Sequence, residues 1–309
     1  MIATPLPSPA LPMPLAAPAS PAALLRVADV LMLLVALVWG TSYGVTKQAL
    51  TWYPVLGFLA VRFGLTFLVL TPALWAADAA ARRNALAAGL PLGLLLLAIM
   101  LCETYGVANT RAANAAFLIS LCIVLTPFAE WWLLRRKPGG TALVCTAVSL
   151  LGAALLAGGP GTVFGFGDLL MLLAAVLRAI IVCLTARMMR DRPSTALALT
   201  AVQTGVVGFG CLALALLLPG ALPALPELPA FWGATAYLVL GSTVFAFFAS
   251  NWALNHSTPT RVALLSGTEP LFGAVFAMLW LGEDFGLQAW SGGVLIVAAS
   301  MWAVLRGRR

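Results

Sequence analysis

An all-α fold that crosses a membrane many times is what this chain predicts, and three observations carry the prediction. Of its 309 residues, 62% are hydrophobic and only 9% are charged, against about 25% charged in soluble domains. A surface so poor in charge cannot face water. Apolar runs follow one another almost without pause, many of them near the ~20 residues that a helix needs to cross ~30 Å of hydrocarbon. The second half of the chain also repeats the first. A β-barrel would show short strands of alternating polarity, and no such alternation is present, so helices remain as the way to satisfy backbone groups in lipid.

Ten runs can be laid out in order. The first, residues 28 to 49, opens on Asp29 and closes near Lys47. The second, 55 to 76, carries Arg62. Arg82 and Arg83 precede the third, 86 to 108, which holds Glu103 and Tyr105. The fourth, 112 to 134, contains Asn114, Pro127 and Glu130 and ends against Arg135, Arg136 and Lys137. The fifth is 141 to 157. The sixth, 165 to 187, opens on Asp168 and carries Arg178. The seventh is 196 to 218, with Gln203. The eighth, 231 to 255, ends on Asn251, Trp252 and Asn255, next to the single histidine, His256. The ninth, 260 to 282, holds Arg261, Ser266, Glu269 and Pro270, and the tenth is 287 to 305.

The repeat starts with DVLMLLVALVWGTS from Asp29, which returns as DLLMLLAAVLRAII from Asp168 at an offset of 139. Pro127 matches Pro270 at 143, and Gly152 matches Gly293 at 141. Spans one and six begin the two copies, residues 28–157 and 165–305, so each copy has five helices. An odd number inverts the second copy relative to the first. Two inverted bundles can tilt open to either side around a midplane site, the geometry of alternating access.

Residues 1–27, rich in Pro and Ala, are expected to be a disordered or polyproline-like cytoplasmic tail. They lack the basic segment of a secretory signal, so no cleavage is expected. With the N-terminus inside, 13 of the 17 Lys and Arg fall in inner segments. The positive-inside bias then puts both termini in the cytoplasm of an inner, plasma-type membrane. That distribution explains the net charge of +7 without nucleic acid as a partner. The five cysteines lie in predicted spans without paired spacing and read as small core residues. No metal and no cofactor is expected. Walker loop, HExxH and Gly-rich phosphate cradle are all missing, which excludes ATP as an energy source within this chain.

Several stretches together resemble the EamA family of the drug/metabolite transporter superfamily over about residues 29 to 305. They are WGTSYGVTK from Trp39, Arg62 with Phe63, AAFLISLCIVLTP from Ala115, STPTRVALLSGTEPLFG from Ser257, and LGE from Leu281. The resemblance implies ten helices in two halves and movement of small organic solutes such as amino acids or their derivatives, often outward. The chain departs from internal symmetry at Arg178, which stands where the first copy has Trp39, and at Glu283, which has no acidic twin.

Charges inside spans are expensive, about 2.5 kcal/mol or more at the bilayer centre, and must face protein or water. Lys47, Arg62 and Arg178 balance Glu103, Glu130 and Glu269 in number, which suggests pairing. Glu269 precedes Pro270, whose missing N–H frees the Ser266 carbonyl and makes a polar weak point. It reads either as a cavity-lining, proton-sensitive carboxylate or as a fixed ion pair with Arg178. Arg178 can grip an anionic group by two hydrogen bonds, Arg62 reads as structural, and Glu130 is expected to snorkel beside Arg135. Trp39, Tyr43 and Lys47 share one helical face, which reads either as a solute pathway or as core packing of Trp39 with Lys47 anchored at the interface. Candidate substrate-binding residues are therefore Trp39, Tyr43, Lys47, Glu103, Asn114, Arg178, Asn251, Trp252, Ser266 and Glu269. Candidate flex points are Gly106, Pro127, Gly267, Pro270 and Gly273. The partners implied are a small solute, the lipid bilayer and a proton, with the oligomeric state left open. Competing classes are a membrane-embedded enzyme acting on lipid or a lipid-linked substrate, with acids clustered near one surface, and a channel with a continuous polar pore.

Overall fold

The computed structural model describes residues 20–110, 115, 118–156, 165–281 and 286–306, and within these it is helical. Asn114, Arg111 and Glu283 lie outside the described residues. The helices are α1 (Pro21–Ala49), α2 (Val55–Ala76), α3 (Ala79–Asn109), α4 (Cys122–Leu134), α5 (Gly140–Leu156), α6 (Phe166–Asp191) and α7 (Ala196–Leu217). They are followed by α8 (Pro229–His256), α9 (Pro259–Ser266), α10 (Glu269–Leu281) and α11 (Leu287–Arg306).

Local chemistry sets the ends. Ser20 accepts a hydrogen bond from the Ala23 N–H with Pro21 next in line, Asp78 does the same for Ala81, Thr195 for Ala198 and Thr258 for Arg261. A side-chain oxygen at this position satisfies a donor that the first turn leaves orphaned. Because of the Ser20 cap, α1 starts at Pro21, ahead of the boundary at residue 28 read from hydropathy, and residues 21–27 are helical rather than part of a tail.

Among the described residues, α1, α2, α3, α6, α7 and α8 are long and apolar enough to span a bilayer, and α4, α5 and α11 contain shorter apolar stretches. Six of the ten expected spans are thus full-length among the described residues. The ninth run shows most clearly why a run falls short, since Gly267 and Thr268 form a turn that splits it into α9 and α10. Pro270, the second residue of α10, cannot donate back across that turn, so the break falls where the chain lacks an N–H. Leu121 likewise interrupts the fourth run ahead of α4, and α4 itself ends on Arg135 in the left-handed conformation (φ 56°).

The outside of the bundle is apolar. Leu216, Leu217, Trp132, Phe166 and Leu287 are among its most exposed large side chains, a coat that suits lipid and not water. With these apolar helices the chain is a multi-pass membrane protein. Inside, α2 lies along α7 and α5 along α11, α3 packs on α6 as α1 packs on α8, and α4 packs on α6 as α9 and α10 pack on α1. Close approaches use glycine. A Cβ on Gly40 would stand 2.5 Å from the Glu269 carbonyl oxygen and 2.8 Å from the Gly273 nitrogen, and one on Gly208 would stand 2.8 Å from the Gly64 nitrogen.

Candidate functional site

At the level of the α9–α10 break, four helices bring charge together. Arg178 of α6 reaches Glu103 of α3 at 3.5 Å and Glu269 of α10 at 3.7 Å. Its guanidinium lies over the ring of Trp39 on α1, 4.8 Å from the centroid, where the ring face attracts a cation. Glu269 sits in the first turn of α10, so the positive end of that helix faces its carboxylate.

Trp39 is the hub of a second layer. Its Nε1 donates to the Ser242 carbonyl at 3.0 Å, and its ring meets Phe247 edge-on at 6.1 Å. Ser242 belongs to a π-helical segment of α8, Leu238–Phe245, a widened turn of the kind often found at functional sites. The turn presents the hydroxyls of Ser242 and Thr243 to Arg62 of α2, which donates to each at 3.0 Å. Thr243 in turn donates to the Leu238 carbonyl five residues back, so the same widening that shapes the turn satisfies its hydroxyl.

Two adjoining cavities follow. A polar one of about 30 Å³, bounded by Tyr43, Arg62, Glu103, Arg178, Ser242 and Glu269, has room for about one water. Facing it, Tyr43 Oη, Glu103 Oε2 and Glu269 Oε1 are buried and make no hydrogen bond of ordinary geometry. Unsatisfied buried polar atoms are rare in native folds and mark places where a ligand, water or proton belongs. The second cavity, about 110 Å³, has walls of Leu96, Ile99, Met100, Ile181 and Phe247. Its polar points are Arg178, Ser266, Thr185, Gln203 and Asn251, and Asn251 donates to Thr200 and Gln203.

The sequence candidates separate accordingly. Trp39, Tyr43, Glu103, Arg178, Asn251, Ser266 and Glu269 line these cavities. Lys47 does not, standing exposed in the last turn of α1; two further turns along the face carry it past the cavity. Trp252 is also outside, stacked on His256 at 4.1 Å and packed against the α1–α8–α9 core. Glu130 corrects its expectation: it is buried, and its Oε2 accepts from the Thr260 N–H and hydroxyl, a cap at the start of α9 that holds it away from Arg135. Arg261 similarly makes a buried two-pronged pair with Asp29, 2.7 Å on both prongs. Of the flex candidates, Gly106 is packed tightly under Met171, Gly273 stands against Gly40, and Pro127 is buried within α4. Gly267 and Pro270 flank the observed break. Sequence reading missed the π turn with Ser242 and Thr243. The adjacent Gly241, Ser242 and Thr243 inside an apolar run were its one visible trace.

Buried charge beside a cavity inside a helical bundle with an apolar outer surface defines a multi-pass membrane protein built around an internal polar site. The chain belongs to the EamA-like transporter family, whose model matches it twice, over residues 26–158 and 165–305. It is similar to two proteins of Archaeoglobus fulgidus, each named "uncharacterized transporter". One is 26% identical over 286 residues, 90% of this chain and 86% of its own. The other is 29% identical over 195 residues, 61% and 65%. A solved crystal structure of a protein 18% identical superposes with a TM-score of 0.72, covering 92% of this chain and 98% of the other, a likeness of fold. The family and these relatives support a membrane transporter.

Proposed function

We propose that this transporter moves small organic metabolites, amino acids or their derivatives among them, outward across the cytoplasmic membrane by alternating access, without ATP hydrolysis. The two working parts are the five-helix halves 28–157 and 165–305, inverted with respect to each other, with both termini in the cytoplasm. One observation carries the reading: Arg178 of the second half is held by Glu103 of the first and Glu269 of the second, above Trp39 of the first. A site shared across two halves is remade whenever they tilt, so occupancy and tilt are coupled.

Packing supports the inversion. Helix contacts are exchanged in pairs when the halves are swapped. Trp39 and Arg178, matched at offset 139 in the repeat, touch each other, as the near-axis members of a two-fold arrangement would. The cavity wall of Leu96, Ile99, Met100 and Phe247 suits an apolar solute body, and the Gln203–Asn251 amides with Arg178 suit its polar end. Glu103, whose Oε2 meets Arg178 at ion-pair distance but without a hydrogen bond, and Glu269, whose Oε1 has no hydrogen-bond partner, are the groups we assign to proton coupling. The outward direction rests on the family resemblance.

Counterflow in proteoliposomes over a panel of amino acids, sugars and small amines tests the proposal. Saturable exchange of at least one solute, lost in Arg178→Ala, is expected. Turnover of a lipid or lipid-linked substrate with no solute exchange would make the protein an enzyme, and non-saturating flux would make it a channel.

A further inference from the structure

We infer that the basic vestibule beside α4, α6 and α9 is a binding site for small organic anions, where solute is held before it reaches the central cavity. The inference rests on the transport reading above and gives its solute a chemical class. The vestibule is large, about 960 Å³, and lies at the end of the bundle where α4 stops and α9 starts. Arg136 and Lys137 reach it from the loop after α4, Arg190 from the last turn of α6, and Arg306 from the last turn of α11. Among the described residues none of these four makes an ion pair.

What would oppose them is already committed. Glu130, the one carboxylate among the described lining residues, accepts two hydrogen bonds from Thr260. Arg261 is spent on Asp29. With Arg261 paired to Asp29, four cations face one capped carboxylate, so the concavity is net positive and focuses its field on whatever enters. Guanidinium and ammonium groups prefer carboxylate or phosphoryl oxygens, to which they donate charge-assisted hydrogen bonds. The hydroxyl of Ser257, also in the lining, is buried and has no hydrogen-bond partner, a further donor facing the same space.

Position decides between a soluble anion and the headgroup of a neighbouring lipid. Leu254 lines both the vestibule and the central cavity, so one layer of apolar side chain separates the two. Beyond it stands Arg178. A carboxylate or phosphate drawn into the vestibule thus waits one side chain away from the chamber whose cation could receive it. A headgroup anchored by its acyl chains could not follow that route.

The test uses the full chain in nanodiscs of phosphatidylcholine, titrated with citrate and with inorganic pyrophosphate, with spermidine as the cationic control. Calorimetry is expected to show saturable binding of at least one anion, weakened by salt, and none of spermidine. The double variant Arg136→Gln/Arg190→Gln should lose about tenfold or more in affinity, while Arg136→Lys/Arg190→Lys keeps most of it. Both positions are exposed, so folding is not at stake, and an unchanged melting temperature verifies this. Equal binding by the Gln pair, or no anion binding by the parent, overturns the inference. So does stabilisation by phosphatidylglycerol nanodiscs alone, which would make the patch a lipid contact. Counterflow on the same preparations separates the two readings: exchange of neutral or cationic solutes without anion binding removes only this inference, whereas anion binding without any solute exchange removes only the transport reading.

Discussion

Two ion clusters of this protein are built from the same residue types and are put together in opposite ways. At the end of the bundle, Asp29 and Arg261 meet with 2.7 Å on both prongs, and Glu130 beside them is capped by Thr260. At the centre, Arg178 stands 3.5 and 3.7 Å from two glutamates that each keep one oxygen without a hydrogen-bond partner. The first cluster is satisfied and short, as a clasp fixing α1 to α9 must be. The second is long and incomplete, with spare bonding capacity beside a cavity. A buried charge tolerated without full compensation is expensive, which is why the role proposed for the central cluster is transport and the role of the first is cohesion.

Breaking the clasp should give the largest change. Arg261→Ala leaves Asp29 buried and unpaired, a loss of about 3–5 kcal/mol by analogy with other severed buried pairs. The melting temperature in nanodiscs should fall steeply, and the protein that remains folded should still exchange solute. Asp29→Asn/Arg261→Gln, which removes both charges, should recover much of the loss. A clasp variant that melts like the parent but no longer transports would reverse the roles assigned to the two clusters.

The central cluster should respond in the opposite sense. Arg178→Lys keeps the charge but not the planar fork that reaches two carboxylates and lies flat on Trp39. Counterflow is expected to drop at least about tenfold, equivalent to ~1.4 kcal/mol, with little change in melting temperature. Large destabilisation with normal counterflow would show that Arg178 is a strut.

Glu269→Gln sharpens the comparison further. The amide preserves shape and cannot lose a proton, so solute exchange should persist while net flux driven by an imposed pH difference disappears. Glu130→Gln, at the satisfied end, should leave that response intact. Proton-driven flux unchanged in Glu269→Gln would remove the coupling role proposed for it.

The contrast was half visible in the sequence, and the reasons are physical. Ionisable residues in apolar runs announce themselves because lipid makes them costly, so Glu103, Arg178 and Glu269 could be picked out and paired by sign. Pro270 marked the break beside Glu269, since a missing N–H is a local property. Whether a charge is satisfied is a tertiary property. Nothing near Glu130 in the chain announces Thr260, 130 residues away, so the sequence pointed to snorkelling beside Arg135 where the structure has a buried cap. Trp39, Tyr43 and Lys47 share a helical face in the sequence, yet only Trp39 and Tyr43 line the cavities while Lys47 stands exposed beyond them, because periodicity gives direction and not depth. The π turn of α8 left only the trace of Gly241, Ser242 and Thr243 in the sequence, because the groups it meets, Arg62 and Trp39, lie about 180 to 200 residues away.

That turn supplies the smallest effect and the finest test. Ser242→Ala removes one of two hydroxyls holding Arg62 but keeps the carbonyl that receives the Trp39 indole, so stability should fall by about 1.5 kcal/mol, the low end for a hydrogen bond to a charged group. Thr243→Val should be worse, since that hydroxyl both accepts from Arg62 and donates to Leu238, and its loss leaves a buried guanidinium nitrogen and the turn's own carbonyl wanting. If the turn orients Trp39 beneath Arg178, the Thr243 variant should lose counterflow in proportion to a change in tryptophan fluorescence, and Ser242→Ala should move neither. If both variants lose stability equally and keep full exchange, the π turn belongs with the clasp, and the active cluster ends at Trp39.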